Sequence, residues 1–216
     1  MIFTYEDLIS KIQNNEPFSF ARYGDGEFFA ILGGGGKYNT DQHKYYKDMG
    51  MRLYKVIKSK PKYIMGLQPK AVRENTNPDF HELIAGIDWV NSDVLHNASK
   101  RTRLVELFDV LKQRNIIFVG NVNLVETTFK FINNVTSFNH IVISERNCWL
   151  EYKDILKRLR ATITKDVVIL YAASMGSEVL IDDIYNEYGD TVTQIDVGSA
   201  FDPYSGIKSR SYHHKL

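Results

Sequence analysis

The residues best suited to chemistry fall in a few short stretches. The first is Arg22-Tyr23-Gly24-Asp25-Gly26-Glu27, which sets two carboxylates two positions apart among glycines. In extended backbone, side chains at i and i+2 share a face. Asp25 and Glu27 would there form a hard-oxygen pair of the kind Mg²⁺ or Mn²⁺ takes. Arg22 could pair with a phosphate, and Gly24 and Gly26 would let a ligand approach the backbone closely. A plainer reading stands beside this one: Asp25-Gly26 is a turn and Glu27 opens a helix, where its charge is favourable.

The second stretch is Ala172-Ala173-Ser174-Met175-Gly176-Ser177, small residues between an apolar run and an amphipathic one. A strand-to-helix turn at Ser174, Met175 and Gly176 exposes helix N–H groups and suits a diphosphate. The same residues resemble a degenerate nucleophile elbow with Ser174 as nucleophile. The order Ser174, Asp202, then His213 or His214 matches a hydrolase triad, although the elbow's first position is Ala and no oxyanion-loop motif precedes it. An ordinary turn with a Ser cap is the remaining reading.

The third stretch runs Ile195-Asp196-Val197-Gly198-Ser199-Ala200-Phe201-Asp202-Pro203-Tyr204. Asp196, at a strand end before a glycine turn, could hold a sugar hydroxyl, act as a base, or cap the turn. Beyond it, Lys208, Arg210, His213, His214 and Lys215 make a basic tail that could neutralise phosphate or simply fray. Asn97 and Asn147 stand at expected loop ends and could touch a ligand. Cys148 has no visible activating partner and reads as a buried structural thiol.

Elements that could position these residues are legible from periodicity. Ile116–Val119, Ile141–Ile143, Val167–Tyr171 and Val192–Val197 are short β-branched runs with little alternation, as in strands buried on both faces. Phe18–Arg22 and Tyr63–Leu67 read as further strands. Helical spacing marks Tyr5–Gln13, Leu104–Leu111, Tyr152–Ile163 and a segment from about Ser177 to Tyr188. Leu53, Val56 and Ile57 predict another helix beginning near Asp41. Gln68–Asp79 is polar with two prolines and reads as a loop, and Gly33–Gly36 as a flexible connector. Strands alternating with helices predict an α/β fold, a mainly parallel Rossmann-like sheet with helices on both faces. Ligands of such sheets bind beyond the carboxyl ends of the strands, where Arg22–Glu27 falls.

Composition narrows the function. The chain has 216 residues, enough for one domain with a substantial core. Lys and Arg total 27 against 26 for Asp and Glu, a net charge of +1, which argues against a nucleic-acid partner. One cysteine excludes an intrachain disulfide and a cysteine-type zinc cluster. No run approaches the ~20 apolar residues of a membrane span, and residues 1–15 do not form a signal peptide. The expectation is a soluble cytoplasmic protein.

Together these segments resemble the GT-D type glycosyltransferases. Arg22 to Glu27 matches that family's early Arg-[Tyr/Phe]-Gly-Asp-Gly-Glu segment. Gly176, Val179, Leu180, Asp183 and Ile184 match its late helix, and Ile195-Asp196-Val197-Gly198 the segment after it. Asn147-Cys148-Trp149 looks like the stretch between them. The matches span about Phe18 to Tyr204, so residues 1–216 are expected to form a single glycosyltransferase-like domain. The family commonly has His after the late glycine, where this chain has Ser199, and Asp202 is then the nearest remaining acid.

The resemblance implies a metal-dependent transfer, with inversion, of a hexose or pentose from a UDP-linked nucleotide sugar to a hydroxyl of a glycan acceptor. Mn²⁺ or Mg²⁺ would sit at Asp25 and Glu27. Arg22, Gly24 and Ser174–Gly176 would support the diphosphate, and Asp202, or second Asp196, would serve as base. Two other readings stay open: a serine esterase-like hydrolase built on Ser174, and a non-catalytic nucleotide- or glycan-binding module.

Overall fold

Along Ile116–Val119, neighbouring side chains enter different cores. Ile116 and Phe118 join one apolar cluster, Ile117 and Val119 the other. The same alternation sends Val168 and Leu170 one way and Ile169 and Tyr171 the other. Strands so built must be covered on both faces, and the computed structural model, which describes residues 2–39, 42–124 and 135–209, shows them covered.

Seven parallel strands form one sheet: β1 (Ser19–Tyr23), β2 (Ile64–Leu67), β3 (Val90–Asn91), β4 (Asn115–Gly120), β5 (Ser137–Val142), β6 (Val167–Tyr171) and β7 (Thr193–Asp196). Their order is β3-β2-β1-β7-β6-β4-β5. Nine helices are described: α1 (Tyr5–Gln13), α2 (Asp25–Ile31), α3 (Lys47–Ser59), α4 (Pro69–Glu74), α5 (Pro78–Ile84), α6 (Val94–Lys100), α7 (Leu104–Leu111), α8 (Tyr152–Thr162) and α9 (Ser177–Tyr188). Helices α1, α6 and α7 pack on one face through Leu8, Leu95 and Leu107, all fully buried. Helices α3, α8 and α9 pack on the other through Leu53, Leu159 and Ile181. Each such side chain contributes about 1.5–3 kcal/mol by leaving water.

The sheet and its two helical layers match the fold expected from sequence. Local differences have local causes. Gln68–Asp79 is not a bare loop: Pro69 and Pro78 each occupy the first turn of a short helix, where a missing N–H costs nothing. Helix α3 starts at Lys47, because the preceding residues are spent on a hairpin. Tyr38 bridges Lys44, Tyr45 donates to the Lys37 carbonyl at 2.8 Å, and Gly36 donates to the Tyr45 carbonyl at 2.8 Å. Gly33–Gly36 therefore leads into ordered structure rather than a slack connector. Gly34 is packed so closely that a Cβ would come within 2.3 Å of the Phe29 ring. Strand β5 begins at Ser137, ahead of the expected Ile141–Ile143. It is an edge strand with exposed Ser137 and Asn139, so Phe138 is the one apolar residue in its first half and no run shows there. Among the described residues, no helix is long and apolar enough to cross a membrane.

Candidate active site

The carboxyl ends of β1, β2, β3, β6 and β7 open onto one cleft of about 630 Å³. Arg22 to Glu27 lines it from β1, Gln68 from β2, and Ser92 and Asp93 from β3. Ser174 and Met175 line it from β6, and Asp196, Gly198 and Ser199 from β7. The hairpin adds Tyr38 and Tyr45. All three stretches singled out in the sequence thus meet at the centre of the sheet, between the first strand and the last. A smaller cavity of about 230 Å³ adjoins it, sharing Ser174, Gly198 and Ser199, and it is this one that Asp202 lines.

The backbone at Asp25 differs from the extended form. Asp25 and Glu27 lie in the first turn of α2, so the alternation that would put them on one strand face does not apply. Glu27 folds back, and its Oε2 accepts from the Gly24 N–H at 2.7 Å. This is the return half of a capping box, since Gly24 has no side chain to offer. Asp25 is exposed at the cleft, with Oδ1 accepting from Gly26 N–H at 3.0 Å. Gly26 faces the neighbouring turn: a Cβ there would lie 3.6 Å from the Met175 sulfur.

Arg22 does more fastening than the sequence suggests. Its Nε donates to the Ser92 carbonyl at 3.0 Å and its Nη2 meets His96 Nδ1 at 2.9 Å. An arginine keeps its protons, so Nδ1 is the acceptor and the imidazole carries its hydrogen on Nε2. That Nε2 donates to Ser199 Oγ at 3.2 Å. A histidine from α6 thereby reaches Ser199. Arg22 Nη1 is buried without a hydrogen-bond partner, pressed against Gly198, where a Cβ would come within 2.6 Å of it. Gly198 also has φ +50°, so glycine is required twice over.

Below this clamp lies an acid cluster in which Asp196 and Glu178 are buried and Glu27 is half-buried. Burial, with the nearby Asp196 and Asp25 charges, pushes the Glu27 carboxyl up to about 7 against the opposing Gly24 hydrogen bond. Burial pushes Asp196 up to about 6, opposed by Arg22, by Gly198 N–H donating to Oδ1 at 2.9 Å, and by a hydrogen bond with Glu178. Glu178, 2% exposed, is held well above the carboxylate range by burial and by Glu27 and Asp196. Its Oε2 is buried with no hydrogen-bond partner. Among the described residues, no group of three or more His, Cys, Asp or Glu could hold a metal ion alone. Asp25, exposed at the cleft, and Glu27 beside it nevertheless fit a hard cation shared with a diphosphate, which needs only one or two protein carboxylates.

At the β6 turn, Ser174 has φ +50°, uncommon for a residue with a Cβ. Gly176 N–H is already spent on the Ala173 carbonyl at 3.2 Å, and Ser177 Oγ accepts from Ala173 N–H at 3.3 Å. The turn therefore offers fewer donors than the sequence implies. Cys148 is buried, its thiol pushed up to about 12 by burial, and it donates to the Ala173 carbonyl at 2.9 Å, a structural thiol as expected. Asn147 Oδ1 accepts from Lys44 N–H at 2.7 Å, so it fastens the hairpin. Asn97 lies within α6, not at a loop end, and His96 is the α6 residue lining the cleft. Arg210, His213, His214 and Lys215 lie outside the described residues.

Sequence reasoning missed His96 and Glu178. Glu178 had a signal: it interrupts a run, Ser177–Ile181, in which every residue is buried. His96 had none beyond its type.

No protein-family model matches the chain, and no curated protein matches it. Solved structures do. One, of domain of unknown function 1792, is described as having a distinct glycosyltransferase fold. It has 16% identity and a TM-score of 0.71, covering 94% of this chain and 79% of that one. Another, described as a new glycosyltransferase (DUF1792) from Streptococcus sanguinis, has 15% identity and a TM-score of 0.72, covering 94% of this chain and 82% of that one. This chain has the DUF1792 glycosyltransferase fold. In that fold the cleft just described occupies the sheet's central crevice, the usual ligand position in open α/β sheets.

Proposed function

We propose that the protein is a metal-dependent glycosyltransferase that moves a hexose or pentose from a UDP-linked nucleotide sugar to a hydroxyl of a glycan acceptor, with inversion. The observation that carries the reading is the meeting of Arg22–Glu27, Ser174–Met175 and Asp196 in one cleft of a sheet with the DUF1792 glycosyltransferase fold. The larger cavity suits the donor. Asp25 and Glu27 would face the diphosphate with Mn²⁺ or Mg²⁺ between. Gly24, Ser174 and Met175 would line it, Gly176 standing behind them with its N–H spent on Ala173, and Arg22 would add its charge from below. The cation would supply Lewis-acid stabilisation of the leaving UDP.

The acceptor suits the adjoining cavity, whose junction with the donor cleft is Ser174, Gly198 and Ser199. There Asp202 would take the acceptor hydroxyl's proton as its oxygen bonds the anomeric carbon and the bond to phosphate breaks, its electron pair leaving with UDP. Asp196 is the second candidate. A base approaching from the cavity opposite the leaving group gives inversion.

The test is a thermal-shift panel of UDP, GDP, CMP and TDP, with and without Mn²⁺, on wild type and on Asp25→Asn/Glu27→Gln. The expected result is a UDP shift that needs Mn²⁺ and vanishes in the variant. The absence of any nucleotide shift from folded protein overturns the reading. Asp202→Asn should then keep UDP binding and lose turnover, whereas a non-catalytic binding module would show binding without turnover in the wild type too. One feature favours a second reading: the left-handed Ser174 at a strand-to-helix turn suits a nucleophile. Labelling of Ser174 by a serine-reactive phosphonate would support that hydrolase.

A further inference from the structure

Glu178 stands in the first turn of α9, 2% exposed, yet it lines the donor cleft. Its Oε2 is buried and has no hydrogen-bond partner. Proteins keep few such atoms, and each calls for a reason. Asp196 and Glu27 crowd the carboxyl with like charge, so neither answers it. Arg22 does not answer it: Nε and Nη2 are committed to Ser92 and His96, and Nη1, though unpaired, makes no hydrogen bond to it. What fits a buried acceptor of this kind is a neutral donor arriving with the ligand.

We infer that Glu178 Oε2 receives a hydroxyl of the transferred sugar and so determines which donor sugar the cleft accepts. The inference rests on the glycosyltransferase reading and adds to it a residue that selects the sugar rather than the nucleotide. A site built to bond a hydroxyl rejects an analogue lacking it, because its own buried acceptor is then left unpaired.

The experiment is calorimetric titration with Mn²⁺ of UDP, UDP-glucose, UDP-galactose, UDP-xylose and UDP-N-acetylglucosamine into wild type, Glu178→Leu and Glu178→Gln. Wild type is expected to spread the four sugars over about 10-fold or more in Kd. Glu178→Leu should compress that spread to within about 3-fold and leave the Kd for UDP within about 2-fold. Leu fills the space without a charge, so its melting temperature should match or exceed wild type, which excludes misfolding as the cause. Glu178→Gln keeps a carbonyl oxygen and a donor for Asp196, and should restore most of the spread. An undiminished spread in Glu178→Leu overturns the inference, as does a Gln variant that behaves like Leu. UDP binding with no discrimination among sugars in wild type overturns it alone. Failure of UDP itself to bind overturns the reading beneath it as well.

Discussion

Two arginines in this molecule each stand among carboxyl groups, and they do opposite things. Arg103, on the surface at the start of α7, donates its Nε and Nη2 to Glu106 at 2.9 and 2.8 Å and its Nη1 to Glu6 at 2.6 Å. Those hydrogen bonds hold both glutamates below the ordinary carboxylate range. Arg22, under the cleft, gives hydrogen bonds to a carbonyl and an imidazole, and reaches Asp196 and Glu178 through charge. There burial prevails, and the carboxyls rise. The difference lies in where the donors go. A fully bonded ion cluster in water is electrostatically content and inert. A buried acid group short of donors stays ready for a ligand.

The contrast breaks most readily at the arginines. Arg22→Met should lower stability by about 3 kcal/mol, because it strips the nearby positive charge from buried acids and unties Ser92 and His96. Urea unfolding would measure it, with Arg103→Met as the comparison, whose midpoint should stay close to wild type. Equal effects would end the distinction. Next in size, Gly198→Ala should cost about 2 kcal/mol, since its Cβ would strike Arg22 Nη1 and φ is positive. Gly206→Ala, with φ +71° and open space around it, should cost only about 1 kcal/mol on the same assay.

The pH dependence sharpens the contrast further. Glu27 rises from its ordinary 4.5 to about 7, so the unfolded chain releases its proton first. Its contribution to stability is complete below about 4.5 and is lost as pH climbs through about 7. Asp196 adds the same slope between 3.8 and about 6. Glu6 and Glu106 are shifted downward, so their contribution is present above the ordinary range and falls away with acidification. Glu27→Gln should therefore flatten the decline in urea midpoint between pH 5 and 8 and leave the acid limb alone, while Glu106→Gln should do the reverse. The smallest effect is that of salt. Half-molar NaCl should shift the midpoint difference between wild type and Glu106→Gln, and barely that of Glu27→Gln, since screening reaches exposed charges first.

How much of this was legible depends on what kind of signal each part leaves. Val167–Tyr171 and Tyr5–Gln13 were readable to the residue, because burial on both faces and helical periodicity write themselves into side-chain type. Strand β3 is two residues long and exists only because β2 offers an edge at Gly66 and Leu67, a fact no local pattern contains. The hairpin that pairs Lys37–Asn39 with His43–Tyr45 is held by backbone bonds and by Asn147, more than a hundred residues away. Asp25, Ser174 and Asp196 announced themselves through glycine-rich strand ends. Their meeting follows from strand order, which periodicity does not give. Glu27 shows the limit most clearly: its spacing from Asp25 fits a strand face or a helix start equally well, and the Gly24 N–H decides for the helix.

The central pairing has a consequence for how the protein is made. Ser19 and Phe20 lie beside Gln194 and Ile195, so the middle of the sheet joins the first strand to the last. A chain emerging from the ribosome presents Arg22 and Glu27 early, and β1 can dock β2 soon afterwards. Its other edge stays bare until Thr193–Asp196 has been synthesised. Until then the arginine has no Gly198 to press against and the acids have no cavity to share. Binding competence therefore arrives in one step, when β7 is made, and until then the nascent chain carries an unpaired apolar edge.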